Sequence, residues 1–234
     1  MKKTIISCVL FLTAVTAFSQ TPMKTAAEAK LSASDLAVKI ADRILATTTY
    51  EFKNTKTGKT YKSVKNLPVD MNVKVACKYN NWHYTNGVTH IALMELADKT
   101  GAKKYDDYVL KNMNFVFNEG NLDFFKKQYD QAMKNEGWYG VRKLSWHMIF
   151  RGKRLDDNGP MGASLIDLQM KHPNNSFLNY INETAEHLNY GEPRLADGTI
   201  ARIWPHENTI WADDAFMAIS FLARMAKMTG DMSY

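Results

Sequence analysis

The sequence predicts an all-α fold of stacked helical hairpins, on three observations. The first is a repeat. The stretches LMELADKTGAKKY (Leu93 to Tyr105), LIDLQMKHPNNSF (Leu165 to Phe177) and LARMAKMTGDMSY (Leu222 to Tyr234) align without gaps. Each ends an apolar helix, breaks at Thr-Gly or His-Pro, and resumes with an aromatic that would open the next helix. Glycine just past the last helical turn, or proline beyond it, is the expected stop. The second is spacing. The repeats lie 72 and 57 residues apart, the size of a helical hairpin with its loops. Units of this length stack to bury a shared core. The third is the amphipathic character of the segments between them.

In chain order, residues 1–20 read as a secretory signal peptide. MKK is basic, TIISCVLFLTAV is apolar, and TAFSQ offers a small-residue cleavage site. The run is too short and wrongly flanked for a membrane span. The protein is therefore expected in the periplasm or outside the cell. Removing Lys2 and Lys3 lowers the formal charge from +6 to +4. No Lys/Arg block of nucleic-acid type remains, so neither nucleic acid nor membrane is an expected partner. Cys77 is the one cysteine left after that cleavage, so no internal disulfide is expected.

Residues 21–234 form one expected domain. SASDLAVKIADRILATT begins it as a helix capped by Ser34, with Leu36, Ile40, Ile44 and Leu45 on its apolar face. KYDDYVLKNMNFVFNEG and SFLNYINETAEHLNYG are outer helices closed by glycine. Thr48 to Tyr79 is polar and reads as a long loop. Glu119 to Arg154 is irregular and rich in Trp, Tyr and Gly, as in segments that shape a cleft. The helix Ala215 to Met228 is apolar on nearly every side, which predicts burial among other helices.

The helix starts are informative. Asp213 lies nine residues before Leu222, and Asp156 nine before Leu165. Trp211 and Trp82 lie eleven residues before Leu222 and Leu93. If the inner helices run parallel, these positions share one rim, with axes ~8–10 Å apart. Two carboxylates beside tryptophans suit a sugar site. The same residues also suit plain structure: Asp in a first turn favours the macrodipole and can cap free N–H groups. LDDNGPMG is ordinary turn chemistry, and tryptophans often belong to a core. Histidines lack metal-ligand spacing, with His83 and His90 seven apart and His206 alone in a loop. No metal site or cofactor is expected. No glycine-rich phosphate loop or serine nucleophile elbow is present.

RLDDNGPMGASL (Arg154 to Leu165), DGTIARIWPHENTIWADDAFMAISFLARMAKMTGD (Asp197 to Asp231) and NNWHYTNGVTHIALMELADKTG (Asn80 to Gly101) resemble glycoside hydrolases of families 88 and 105. These are the unsaturated glucuronyl and rhamnogalacturonyl hydrolases. The most specific motif is Trp-x-Asp-x-x-(aromatic)-Met in the last forty residues. The resemblance implies an (α/α)6 barrel and a substrate that is an oligosaccharide ending in a Δ4,5-unsaturated uronic acid, of pectin or rhamnogalacturonan type. It matches the family's general acid/base to Asp213, its second acid to Asp156, and a site aromatic to Trp211. Trp82, Arg202, His206 and Asp214 complete the candidate substrate-binding set. Some relatives carry histidine where this chain has Arg202, and many have glycine where it has Asp214. The implied chemistry is acid-catalysed hydration of an enol ether, which needs no cofactor.

Two other readings stand beside it. One is an inverting glycosidase using Asp213 and Asp156 on saturated glycosides. The other is a non-catalytic carbohydrate-binding protein. Three inner helices appear where the barrel needs six, so the sequence is expected to hold about half to two-thirds of a barrel, truncated at its C-terminus.

Overall fold

The computed structural model describes residues 32–117, 120–151 and 154–234. The expected signal peptide lies outside them. The chain divides into two units, Met1–Lys39 and Ile40–Tyr234. Of the first, residues 32–39 are described and carry the start of α1 (Ala33–Thr47). Its cap is Ser32, not Ser34. Ser32 Oγ accepts from the Asp35 N–H at 3.1 Å, and the Asp35 carboxylate accepts from the Ser32 N–H at 3.3 Å. This is a reciprocal capping box.

The second unit is mainly helical. Its elements are β1 (Phe52–Asn54), β2 (Thr60–Tyr61), β3 (Val73–Val75), α2 (Tyr84–Thr100), α3 (Lys104–Phe117), α4 (Asn121–Val141), a 3-10 turn (His147–Phe150), α5 (Leu155–Lys171), α6 (Asn175–Glu186), a π turn (His187–Gly191) and α7 (Ala212–Thr229). The repeat reading corresponds to α2, α5 and α7. Gly101 and Gly230 end α2 and α7 with φ of 71° and 77°, a left-handed conformation that glycine adopts without a Cβ clash.

Helix α5 packs between α2 and α7, and all three run parallel. Near their starts, Gly87 meets Pro160 and Met161, and Gly159 meets Met217. Near their ends, Lys171 reaches Asp98 at 3.0 Å and Arg224 reaches Asp167 at 2.8 Å. The two glycines permit the close approach. A Cβ at Gly87 would lie 2.4 Å from the Met161 nitrogen, and one at Gly159 would lie 2.1 Å from the Met217 carbonyl oxygen. Those obstacles are backbone, so neither site admits a side chain without moving a helix. The core between these helices contains Met161, Leu165, Leu168, Phe221 and Met225, all essentially buried.

Three expectations need correction. The segment Thr48–Tyr79 is not all loop: β2-β1-β3 form an antiparallel sheet, with Phe52 opposite Tyr61 and Val75. Phe52 is fully buried among Phe115, Phe124 and Phe125. Burial of that ring gives the short strands a reason to form. The irregular stretch after Glu119 contains α4, which buries Phe124, Phe125, Gln128 and Ala132 and departs from helical geometry at Gly137, with φ 60°. Finally, α7 is buried on one side only. Met217, Ala218 and Phe221 face the core, while Phe216 and Ile219 are 46% and 62% exposed.

Candidate active site

The starts of α5 and α7 bring Asp156, Asp213 and Asp214 together. Each offers one carboxylate oxygen, and these oxygens all lie within 4.8 Å of one another. None serves as a helix cap. The N-cap positions are Arg154 and Trp211, and neither helix has a side-chain cap hydrogen bond. The structural alternative to a functional role for the acids therefore loses its main term, leaving only the macrodipole.

Burial differs sharply among the acids. Asp213 is exposed, Asp156 is half-buried, and Asp214 is buried. Asp214 can be buried because Arg202 engages both its oxygens, Nε to Oδ2 and Nη2 to Oδ1, each at 2.6 Å. Such a two-point pair is the strong form of a guanidinium–carboxylate contact. The same Nη2 reaches Asp156 Oδ1 at 3.5 Å. Arg202 also stacks on Trp211, 4.1 Å from the ring centroid. Arg202 and Asp214 thus form one interaction.

Arg202 is held by a hairpin. Its N–H donates to the Thr209 carbonyl at 2.8 Å, and the two residues form an antiparallel bridge. The Asp156 carboxyl is pushed above the usual carboxylate range. Burial is the largest cause; Arg202 opposes it, and Asp214, Asp157 and Asp213 add to it. A trio of acids could attract a cation, but a guanidinium already contacts two of them.

Beside the cluster lies a pocket of about 380 Å³. Asp156, Arg202 and Asp214 line one side, and His187, Gly191, Glu192 and Pro193 belong to the same wall. Trp211 and Asp213 flank this pocket without lining it. Trp211 is 42% exposed, and Trp204, which does line the pocket, is 68% exposed.

Two candidates belong elsewhere. Trp82 is 1% exposed and donates from Nε1 to the Asp157 carbonyl at 2.6 Å. Tyr180, Trp146 and Phe117 pack around its ring. It secures the start of α5 and offers no face to a sugar. His206 is exposed and absent from the pocket wall; its carbonyl accepts from Thr209 Oγ1 at 2.8 Å. Asp157 is also structural: Arg151 binds both its oxygens, and it is 2% exposed. Sequence reasoning missed His187, Glu192 and Trp204. The short run GEP and the aromatic before Pro205 were the available signals, and neither is periodic.

Residues 55–234 match the profile of Glycosyl Hydrolase Family 88. The chain belongs to this family. It is a glycoside hydrolase with the all-α, helical-hairpin fold of that family. No curated protein matches it. Among the described residues, no helix is long and apolar enough to cross a membrane.

Proposed function

We propose that this hydrolase removes a terminal Δ4,5-unsaturated uronic acid from oligosaccharides made by polysaccharide lyases, by hydrating the C4=C5 double bond. The observation that carries this reading is the acidic cluster: exposed Asp213, half-buried Asp156 and Arg202-bound Asp214 within one small volume. Asp213 protonates C4. The electron pair of the C4=C5 bond forms the new C–H bond, leaving an oxocarbenium ion across C5 and the ring oxygen. Water adds at C5 and gives its proton to the same carboxylate. The resulting hemiketal opens and expels the remainder of the chain.

Asp156 sits beside Asp213 and holds the sugar. Arg202, which contacts Asp156 and Asp214, offsets negative charge in the cluster, which matters because the substrate is itself a carboxylate. Arg202 contributes fixed positive charge to the wall. Trp211 has one face against Arg202 and leaves the other for a sugar ring. The inverting alternative fits less well, because it needs carboxyl groups ~6.5–9.5 Å apart to seat a water. Asp156 and Asp213 approach within 4.8 Å.

The test is a pair of disaccharides that differ only in the double bond. The unsaturated uronide should be cleaved with loss of its ultraviolet absorbance, and the saturated uronide should survive. Cleavage of the saturated compound would overturn the reading. Export to the periplasm or beyond is proposed on the residue pattern of positions 1–20, and N-terminal sequencing of the mature protein tests it.

A further inference from the structure

The pocket wall to which Arg202 belongs carries a second built feature. His187 Nε2 hydrogen-bonds Glu192 Oε1 at 2.9 Å. Their side chains are only 19% and 11% exposed, yet both line the pocket that Asp156, Arg202 and Asp214 share. Three local devices hold them there. His187–Gly191 is a π turn, an irregular element often found at functional sites. The Glu192 N–H closes this turn on the His187 carbonyl at 3.1 Å. Gly191 leaves room for the imidazole, since a Cβ there would lie 2.5 Å from His187 Nδ1. Beyond the turn, Arg194 donates to the Leu188 carbonyl at 3.0 Å and to the Gly198 carbonyl at 2.8 Å, fixing the chain that leaves Glu192.

We propose that His187 and Glu192 are a substrate-positioning pair. Glu192, oriented by His187, accepts hydrogen bonds from hydroxyl groups of the sugar joined to the unsaturated uronide, and it rejects an acidic sugar at that place. The inference rests on the proposed removal of an unsaturated uronide. Among the described residues, the side-chain hydrogen bond of Glu192 is the one from His187 to Oε1. A carboxylate held through one oxygen in a pocket wall suits a diol. It opposes a second carboxylate or a sulfate, because the wall already holds Asp156 and Asp214 and its Arg202 is engaged by both. Burial also pushes the Glu192 carboxyl up, with His187 opposing.

The experiment uses two unsaturated disaccharides, one with a neutral hexose and one with a hexuronic acid next to the scissile bond. The wild-type protein should prefer the neutral one. Glu192→Gln should lower kcat/KM on the neutral compound by ~10- to 100-fold, chiefly through KM, the loss expected for a hydrogen bond to a charged group. The same variant should improve the acidic compound, narrowing the preference. Gly191→Ala, which displaces His187, should shift both values in the same direction. Thermal melting establishes that the variants fold. If Glu192→Gln does not fold, Glu192→Asp replaces it: the shortened carboxylate should raise KM for the neutral compound and leave the acidic one poor. A folded Glu192 variant with unchanged preference would overturn the proposal, as would an equal loss of kcat on both compounds with KM unmoved. If the wild type cleaves only saturated glycosides, the functional reading itself fails and this proposal fails with it.

Discussion

Asp213→Asn is expected to lower kcat on an unsaturated uronide about a thousandfold, within the 10²–10⁴ that a positioned acid/base contributes. The argument begins with exposure. Asp213 lies in the first turn of α7, accepts no capping hydrogen bond, and is exposed. Its amide isostere should therefore leave melting nearly unchanged. It should also leave binding largely intact, since Arg202, Trp211 and Asp156 remain. The amide cannot deliver a proton to C4 or take one from water, so the loss should fall on kcat. Asp156→Asn should lose less in kcat and more in KM. The reverse pattern, with Asp213→Asn retaining most of its turnover and Asp156→Asn inactive, would exchange the two roles.

The second large effect concerns stability. Arg202→Ala leaves Asp214 buried without its partner. Breaking a buried ion pair from one side costs about 3–5 kcal/mol, because an uncompensated charge remains. Removing both groups costs less, since no orphan charge is left. The double variant Arg202→Ala, Asp214→Ala should therefore be more stable than Arg202→Ala alone. Urea denaturation of the two single variants and the double closes the thermodynamic cycle. A coupling below about 1 kcal/mol would mean that water already solvates the pair, as at exposed sites.

The sequence revealed the inner helices because their stop signals repeat. Gly101 and Gly230 mark equivalent helix ends, and the alignment fixed Asp156 and Asp213 as equivalent starts. Parallel packing then converted equivalence into proximity. The small sheet was missed for a physical reason. Its strands are two or three residues long, and its stability comes from Phe52 inserting among residues of α3 and α4, which no local pattern records. The alternation of Val73, Lys74 and Val75 was the one local clue. Helix α4 was hidden by Gly137 and Gly140, although Phe124, Phe125, Gln128 and Ala132 already followed helical spacing.

Within the site, equivalence of backbone position did not fix side-chain direction. Trp82 and Trp211 occupy matching places, yet Trp82 turns inward under Tyr180 and Trp211 lies against Arg202 at the surface. The neighbours decide, and these come from other elements: Asp157 for one, the Arg202 hairpin for the other. His187 and Glu192 were invisible because a π turn breaks the helical period that a sequence reading follows.

The central claim is that chemistry begins with a proton delivered to C4 of an enol ether. It is tested most directly by running the reaction in deuterated water and locating the label in the released uronic acid. The account predicts deuterium at C4, introduced as ultraviolet absorbance falls, with solvent oxygen at C5. An unlabelled C4, a surviving double bond and solvent oxygen at the anomeric carbon would contradict it and identify direct glycosidic cleavage instead.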